Sequence, residues 1–175
     1  MKKIVLTYGL IAGGIVAAFM LFGVYLFSNN PDFDAGMLLG YAGMIIAFSL
    51  SYVGIKNYRD RQNEGVISFG KAFSIGLMIT FIASTIYVGV WLIEYYCFFP
   101  DFMDKYVASA LKKLDKTAMT AAEIKAKTAE LMQYKELYKS PIMVILLTYA
   151  EALLPVGLLV PVICAWVLKR KTKPA

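Results

Sequence analysis

Residues 73–93 read FSIGLMITFIASTIYVGVWLI and contain no charged side chain. A helix needs about 20 apolar residues to cross a hydrocarbon core roughly 30 Å thick, and this run meets that length. Three further runs have similar length and composition: Ile4–Phe27, Met37–Ile55 and Ile142–Leu168. We call the four runs spans one to four in chain order. The sequence therefore predicts an all-α integral membrane protein whose four transmembrane helices form a bundle.

Composition predicts a single membrane domain over residues 1–175. The chain is 59% hydrophobic with a mean hydropathy of +0.63, whereas soluble domains are roughly 45–50% apolar. The formal net charge of +6 is explained by cationic flanks of membrane spans, so we expect no nucleic-acid partner. The chain has no histidine, which excludes imidazole metal sites and histidine-dependent catalysis within it. We predict no catalytic residue, no metal site and no cofactor.

The distribution of charge predicts the orientation of the spans. Lys2 and Lys3 precede span one, and both Lys56–Ala72 and the tail after Leu168 are rich in Lys and Arg. The connection between spans one and two, Ser28–Gly36, has acids but no cation. Because cytoplasmic segments carry an excess of Lys and Arg, we predict that both termini and the second connection lie in the cytoplasm.

The long third connection, residues 94–141, has the pattern of two amphipathic helices. Apolar residues recur at helical spacing within Met103–Leu114 and again within Ile124–Tyr138. Thr120–Glu123 matches a capping box, in which the Thr oxygen and the Glu carboxylate bond to free N–H groups. We predict an extracytoplasmic helical hairpin, whose charged faces are either solvated or a docking surface. Glu94, at the start of this connection, is expected to be solvated.

Small residues recur at helical spacing in spans one to three and predict where helices touch. In lipid, helices associate through close backbone approach and van der Waals contact, which small residues allow. The pattern fits packing within one chain and packing between two copies equally well. The stripes comprise Gly9, Gly13 and Ala17; Gly36, Gly40, Gly43, Ala47 and Ser51; and Ala72, Gly76, Thr80 and Ser84.

Span four contains Glu151, the one acidic or basic side chain well inside any predicted span. It lies roughly 13 Å along the helix from Ile142, close to the midplane. Pro155 removes the backbone hydrogen bond to the carbonyl of residue 151, which predicts a kink there. An ionised carboxylate at this depth costs about 2.5–3.5 kcal/mol, so we expect Glu151 to face the bundle or to be protonated.

Span three offers candidate partners for this carboxyl. Thr80, Ser84 and Tyr87 fall on one helical face together with Trp91. Ser84 and Tyr87 are expected at a depth similar to that of Glu151, so we predict a hydrogen bond from one of them to Glu151. Two interpretations stay open. The group is either a site for a proton, cation or polar substrate, or a buried polar latch that fixes helix register.

The second connection holds another candidate site. Its residues could bind anionic lipid headgroups or a cytoplasmic partner. Topological anchoring of the spans is the simpler interpretation. The residues are Tyr58, Arg59, Asp60, Arg61 and Lys71.

Several stretches together resemble a known family. They are GLIAGGI in span one, GYAGM in span two, VGIKNYRDRQNEGVISFGKAFSIGL across the second connection and FFPDFMDKY after span three. Over nearly the whole chain, they resemble the bacterial membrane family called domain of unknown function 4199. The resemblance implies a four-span bacterial protein without an assigned activity, and it carries over no catalytic residue. It directs attention to Tyr58, Arg59, Asp60, Phe69 and Lys71, alongside Glu151.

These patterns favour a non-enzymatic multi-pass membrane protein in the lipid bilayer. We predict an interaction or assembly partner that binds itself or another membrane protein. The alternative is a small ion- or proton-coupled transporter that uses Glu151. An intramembrane enzyme is the least supported class, because the spans hold no paired carboxylates near the midplane and the chain has no histidine.

Overall fold

The computed structural model describes residues 1–27, 33–114 and 119–170. The described chain is built from helices. They are α1 (Lys2–Phe27), α2 (Phe33–Phe48), α3 (Leu50–Gln62), α4 (Phe69–Ile93), α5 (Phe102–Leu114), α6 (Ala121–Leu137), α7 (Pro141–Ala152) and α8 (Leu159–Leu168). One π-helical segment, Glu94–Phe98, continues α4, and another, Leu153–Gly157, lies between α7 and α8.

Four helical stretches of the described chain are long and apolar enough to cross a membrane. Each overlaps one predicted span, so the all-α, four-span architecture is confirmed. The second stretch is much longer than its predicted span, because it includes all of α2 and α3. The stretches are Lys2–Leu26, Phe33–Gln62, Phe69–Phe98 and Pro141–Leu168.

The connection between spans two and three is shorter than predicted. We expected a polar connection over Lys56–Ala72, but α3 and α4 leave only residues 63–68 between them. Polarity alone does not end a helix, and α3 continues until Glu64 and Gly65 adopt left-handed φ angles of 53° and 81°. The Ser68 hydroxyl then caps α4 by accepting a hydrogen bond from a backbone N–H at 3.3 Å. Most of the candidate residues of this connection therefore lie on α3.

The chain forms two compact units. The first contains Met1–Val90 and the chain from Tyr149 onward, and the second contains Trp91–Thr148. The first unit has two clusters of buried side chains. One cluster includes Ile55, Ile67 and Ile75, and the other includes Val16, Met44, Phe48, Ala152 and Val156.

Close helix packing within the first unit uses the predicted small residues. Gly13 of α1 is an example, because a Cβ at this position would lie 2.1 Å from Cδ1 of Ile86 in α4. Glycine lets the Ile86 side chain pack directly on the α1 backbone. This part of the small-residue pattern therefore serves packing inside one chain.

The second unit has its own core. Leu131 of α6 packs at the margin of this core, and Lys135 of α6 forms an ion pair with Asp104 of α5. The two predicted amphipathic helices therefore form and contact each other. The buried side chains of the core are Met103, Val107, Tyr138 and Val144.

The predicted capping box is confirmed at the start of α6. Thr120 Oγ1 accepts a hydrogen bond from the Glu123 N–H at 3.3 Å, and the Glu123 carboxylate accepts one from the Thr120 N–H at 2.8 Å. Hydrogen bonds from the Thr120 side chain and, to a smaller extent, from its backbone hold the pKa of Glu123 below its usual value. The box is therefore formed at neutral pH and is lost as the pH falls through the lowered pKa of Glu123.

Candidate functional site

Span four changes helix type in its middle. Pro155 has no N–H to donate to the carbonyl of Glu151, and the chain adopts the π-helical segment Leu153–Gly157 around it. The N–H of Leu158 bonds to the carbonyl of Leu153 at 2.8 Å, one residue further along than in an α-helix. The kink predicted at Pro155 coincides in position with this change of helix type. Such π-turns inside α-helices are frequent at functional sites.

Pro161 leaves a second gap in the hydrogen bonding of span four. It lies in the first turn of α8, where a missing N–H is tolerated, but the carbonyl of Gly157 loses its α-helical donor. The buried hydroxyl of Thr80 in α4 lies 3.0 Å from this carbonyl oxygen and 3.0 Å from that of Leu77. A side chain of span three thus satisfies a backbone group that proline leaves free in span four, which matters where no water is available.

Gly76, one helical turn before Thr80, allows spans three and four to approach at the same place. A Cβ at Gly76 would lie 3.0 Å from Cβ of Pro161. Ser51 of α3 also donates a long hydrogen bond, 3.4 Å, to the Gly76 carbonyl. We call Gly76, Thr80, Gly157 and Pro161 the Thr80 latch. It is a buried polar contact between spans three and four with Thr80 in the central position, and unlike the latch considered from the sequence it does not include Glu151.

Thr80→Val is expected to lower the free energy of unfolding of the first unit by about 1–2 kcal/mol. Valine has the shape of threonine, so the loss reports the hydrogen bond to Gly157. Thermal unfolding in detergent, followed through Trp166 fluorescence in a Trp91→Phe background, measures the change. Thr7→Val is the matched control, because Thr7 is exposed on α1. An equal loss in both variants would contradict the latch.

The predicted hydrogen bond between Ser84 and Glu151 is wrong. Ser84 is fully buried, and its Oγ has no hydrogen-bond partner among the residues that the structure describes. Tyr87, the other predicted partner, packs against the buried cluster that contains Ala152 and Val156. Ala152 and Val156 of span four face this cluster. Glu151 lies about 100° from Ala152 around the helix, so its side chain points away from the cluster.

Glu151 is exposed on the surface of the first unit. It shares a helical face with Leu154, Leu159 and Trp166, which are 65%, 57% and 65% exposed. In a membrane, this outward face contacts lipid or another protein. The expectation was that Glu151 faces the bundle or is protonated, and the outward position leaves the protonated alternative. Tyr41 of α2 packs against the buried cluster that contains Ala152, the residue after Glu151.

Among the residues whose surroundings were predicted, Glu94 differs most from its prediction. We expected solvation, but only 4% of the residue is exposed, and its Oε1 has no hydrogen-bond partner within the described ranges. Glu94 also opens the π-helical segment Glu94–Phe98, where its carbonyl accepts a 2.9 Å hydrogen bond from the Phe99 N–H. The aromatic neighbours Trp91 and Tyr95 were the available sign in the sequence that this acid is not in water.

The predicted cytoplasmic site lies at the end of α3. Arg59 forms an ion pair with Asp60 at 2.6 Å and donates a 3.3 Å hydrogen bond to the carbonyl of Leu168, which ends α8. Next to it, Ile67 and Arg170 exchange two backbone hydrogen bonds of 2.9 Å. Arg59 therefore has a structural role, because it joins the end of α3 to the end of α8.

The other residues of this set are more open. Lys71 Nζ lies 5.9 Å from the centre of the Tyr58 ring, within the range of a cation–π contact. Phe69, to which the resemblance directed attention, stacks on Phe73 with ring centres 6.1 Å apart. Arg61 is exposed in the last turn of α3. These positions fit lipid headgroup contact and topological anchoring alike.

Comparison with known proteins agrees with the motifs in the sequence. Residues 7–170 match the model of a family described as a protein of unknown function, DUF4199. The chain belongs to the DUF4199 family. The resemblance noted in the sequence is thereby confirmed. No curated protein and no solved structure matches this DUF4199 member.

Proposed function

We propose that this DUF4199 protein is a non-enzymatic interaction or assembly partner in the bacterial cytoplasmic membrane. The observation that carries the proposal is Glu151, a carboxyl near the middle of a span that lies on an outward face. An ionised acid that faces lipid at this depth costs about 2.5–3.5 kcal/mol. A neighbouring helix that covers Glu151 and donates a hydrogen bond or a positive charge removes this cost. Binding a partner is therefore favourable at this position.

An enzymatic role has less support. The chain has no histidine, and the described residues bring together no group of three His, Cys, Asp or Glu side chains that could hold a metal ion. Two of the polar side chains that the sequence singled out are already engaged within the fold. Thr80 bonds to the carbonyl of Gly157, and Arg59 is engaged with Asp60 and Leu168.

The proposal includes an orientation, with both termini in the cytoplasm and the α5–α6 hairpin outside. In the first unit, the Met1 ammonium donates to Gln62 Oε1 at 2.8 Å, and Ile67 pairs with Arg170. The N-terminus, the α3–α4 loop and the tail therefore share one end of this unit. The N-terminus and the tail are cationic, and Arg59, Arg61 and Lys71 flank the loop on α3 and α4. This charge favours the cytoplasmic side and contact with anionic lipid headgroups.

Affinity purification from native bacterial membranes tests the proposed role. The tagged wild-type protein is expected to recover another membrane protein in stoichiometric amount, and Glu151→Leu is expected to lose it. Leucine suits lipid at this outward position, so the variant is expected to fold. Leu10→Ala, on an exposed surface of α1, is the matched control and is expected to behave as wild type. Recovery of this chain alone would contradict the proposal.

A small ion- or proton-coupled transporter is the second candidate function. It is favoured by the same carboxyl, because transporters use acids at this depth as proton or cation sites. In proteoliposomes, this role predicts a flux that the wild-type protein supports and that Glu151→Gln abolishes. A wild-type protein that gives no flux but recovers a partner from native membranes favours the assembly role.

A further inference from the structure

The surface around Glu151 combines one acid with exposed apolar side chains. Helix α2 packs against the π-helical segment that follows Glu151, and its Tyr41 packs against the buried cluster that contains Ala152 and Val156. Ile45 follows one turn along α2, while Leu154 and Leu159 follow along span four, and all three are exposed. We call Tyr41, Ile45, Glu151, Leu154 and Leu159 the Glu151 face. We propose that it binds a transmembrane helix of a different protein, which carries an arginine or lysine near the middle of its span.

This inference rests on the proposed function and specifies the chemistry of the partner. The acid determines the charge that the partner supplies. A lone carboxylate in hydrocarbon carries its desolvation cost uncompensated, and so does a lone arginine or lysine on another helix. Paired, the two form a neutral, charge-assisted hydrogen bond.

The apolar border of the Glu151 face determines the kind of segment that covers it. Ile45, Leu154 and Leu159 are 55%, 65% and 57% exposed, so the carboxyl is surrounded by surface suited to hydrocarbon. At this depth a polypeptide must satisfy its own backbone hydrogen bonds, which a helix does. Van der Waals packing on these side chains then adds to the charge pairing.

The sequence excludes a second copy of this chain as the source of the positive charge. No lysine or arginine occurs within Ile4–Ile55, Phe73–Asp104 or Ile142–Leu168. These ranges contain the central part of every span. A second copy could therefore place no basic side chain at the depth of Glu151, and the partner is a different protein.

Binding of synthetic transmembrane peptides tests this inference. One peptide is a leucine-based helix with a single central arginine, and the other has leucine at that position. The full-length protein is reconstituted in phosphatidylcholine vesicles, and binding is measured by energy transfer from a labelled peptide to a label on the protein. We expect the arginine peptide to bind about tenfold more tightly, a difference of about 1.4 kcal/mol.

Three variants locate the binding to the Glu151 face. Glu151→Leu is expected to abolish the preference for the arginine peptide. Leu154→Trp is expected to weaken binding of that peptide, because the indole blocks the face. Leu10→Trp adds the same bulk at an exposed position of α1 and is expected to leave binding unchanged. Circular dichroism checks that each variant keeps its helices.

Three outcomes would overturn the inference. They are equal binding of the two peptides, a preference that persists in Glu151→Leu, and self-association through Glu151 in vesicles without peptide, which would make a second copy the occupant. If the peptides bind equally while native membranes still yield a partner, only the chemistry assigned to the partner is wrong. If native membranes also yield this chain alone, the proposed function fails as well.

Discussion

Gly76→Leu is expected to lower the free energy of unfolding of the first unit by about 3 kcal/mol. A Cβ at this position would lie 3.0 Å from Cβ and 3.3 Å from Cα of Pro161. The second atom belongs to the backbone and cannot rotate away. A leucine side chain therefore separates α4 from α8, and the hydrogen bond from Thr80 to Gly157 is lost with it. Against a total stability of about 5–15 kcal/mol for an ordinary domain, this loss is large.

The same substitution at Gly89 is the control for Gly76→Leu. Gly89 lies in the same helix, and a Cβ there would meet nothing within 4 Å. Gly89→Leu is expected to leave stability nearly unchanged. Unfolding in detergent is followed through Trp166, which belongs to the first unit, after replacement of Trp91 by phenylalanine. Equal losses at the two glycines would contradict the packing of span three on span four.

Glu94→Met is expected to raise the free energy of unfolding of the second unit by about 1–3 kcal/mol. The wild-type residue buries a carboxyl whose Oε1 has no hydrogen-bond partner in the described part of the chain. With only 4% of the residue exposed, water cannot compensate for the lost hydration. Methionine has a similar volume and no polar group that requires a hydrogen bond. Removing the acid is therefore expected to remove its desolvation cost.

Trp91 fluorescence in a Trp166→Phe background measures this change, because Trp91 belongs to the second unit. Glu94→Gln is expected to gain less, since its amide is still a buried polar group. Glu136→Met is the control, because Glu136 is exposed and forms an ion pair with the exposed Lys139 at 2.7 Å. A loss of stability in Glu94→Met would show that the carboxyl has a stabilising partner and would contradict the prediction.

Features that depend on neighbouring residues in the sequence were predicted correctly. The capping box needs only Thr120 and Glu123 three residues apart, and the position of the change of helix type in span four needs only the missing N–H of Pro155. The gap left by Pro161 at the carbonyl of Gly157 follows from the same rule. Its filling by Thr80 does not, because that contact joins two spans that are distant in the sequence.

Features that depend on the rotation and ends of helices were predicted less well. Polar residues suggested that span two ends near Ile55, but helical hydrogen bonds continue well past it along α3. The prediction for Ser84 failed because its partner depends on the rotation of span four. The prediction for Glu94 failed because an acid at the edge of an apolar run is solvated only if no other part of the fold covers it.

Hydropathy, charge and proline positions alone specified four spans, a cationic end and the position of the change of helix type at Pro155. These are local properties, and each span must satisfy its own backbone whatever surrounds it. Only packing among the helices decided that Glu151 faces outward and that Thr80 is the central residue of the latch. One residue turns an α-helix by about 100°. A small change in the rotation of span four therefore moves a carboxyl from the core to the membrane, and this rotation depends on every helix that packs against it.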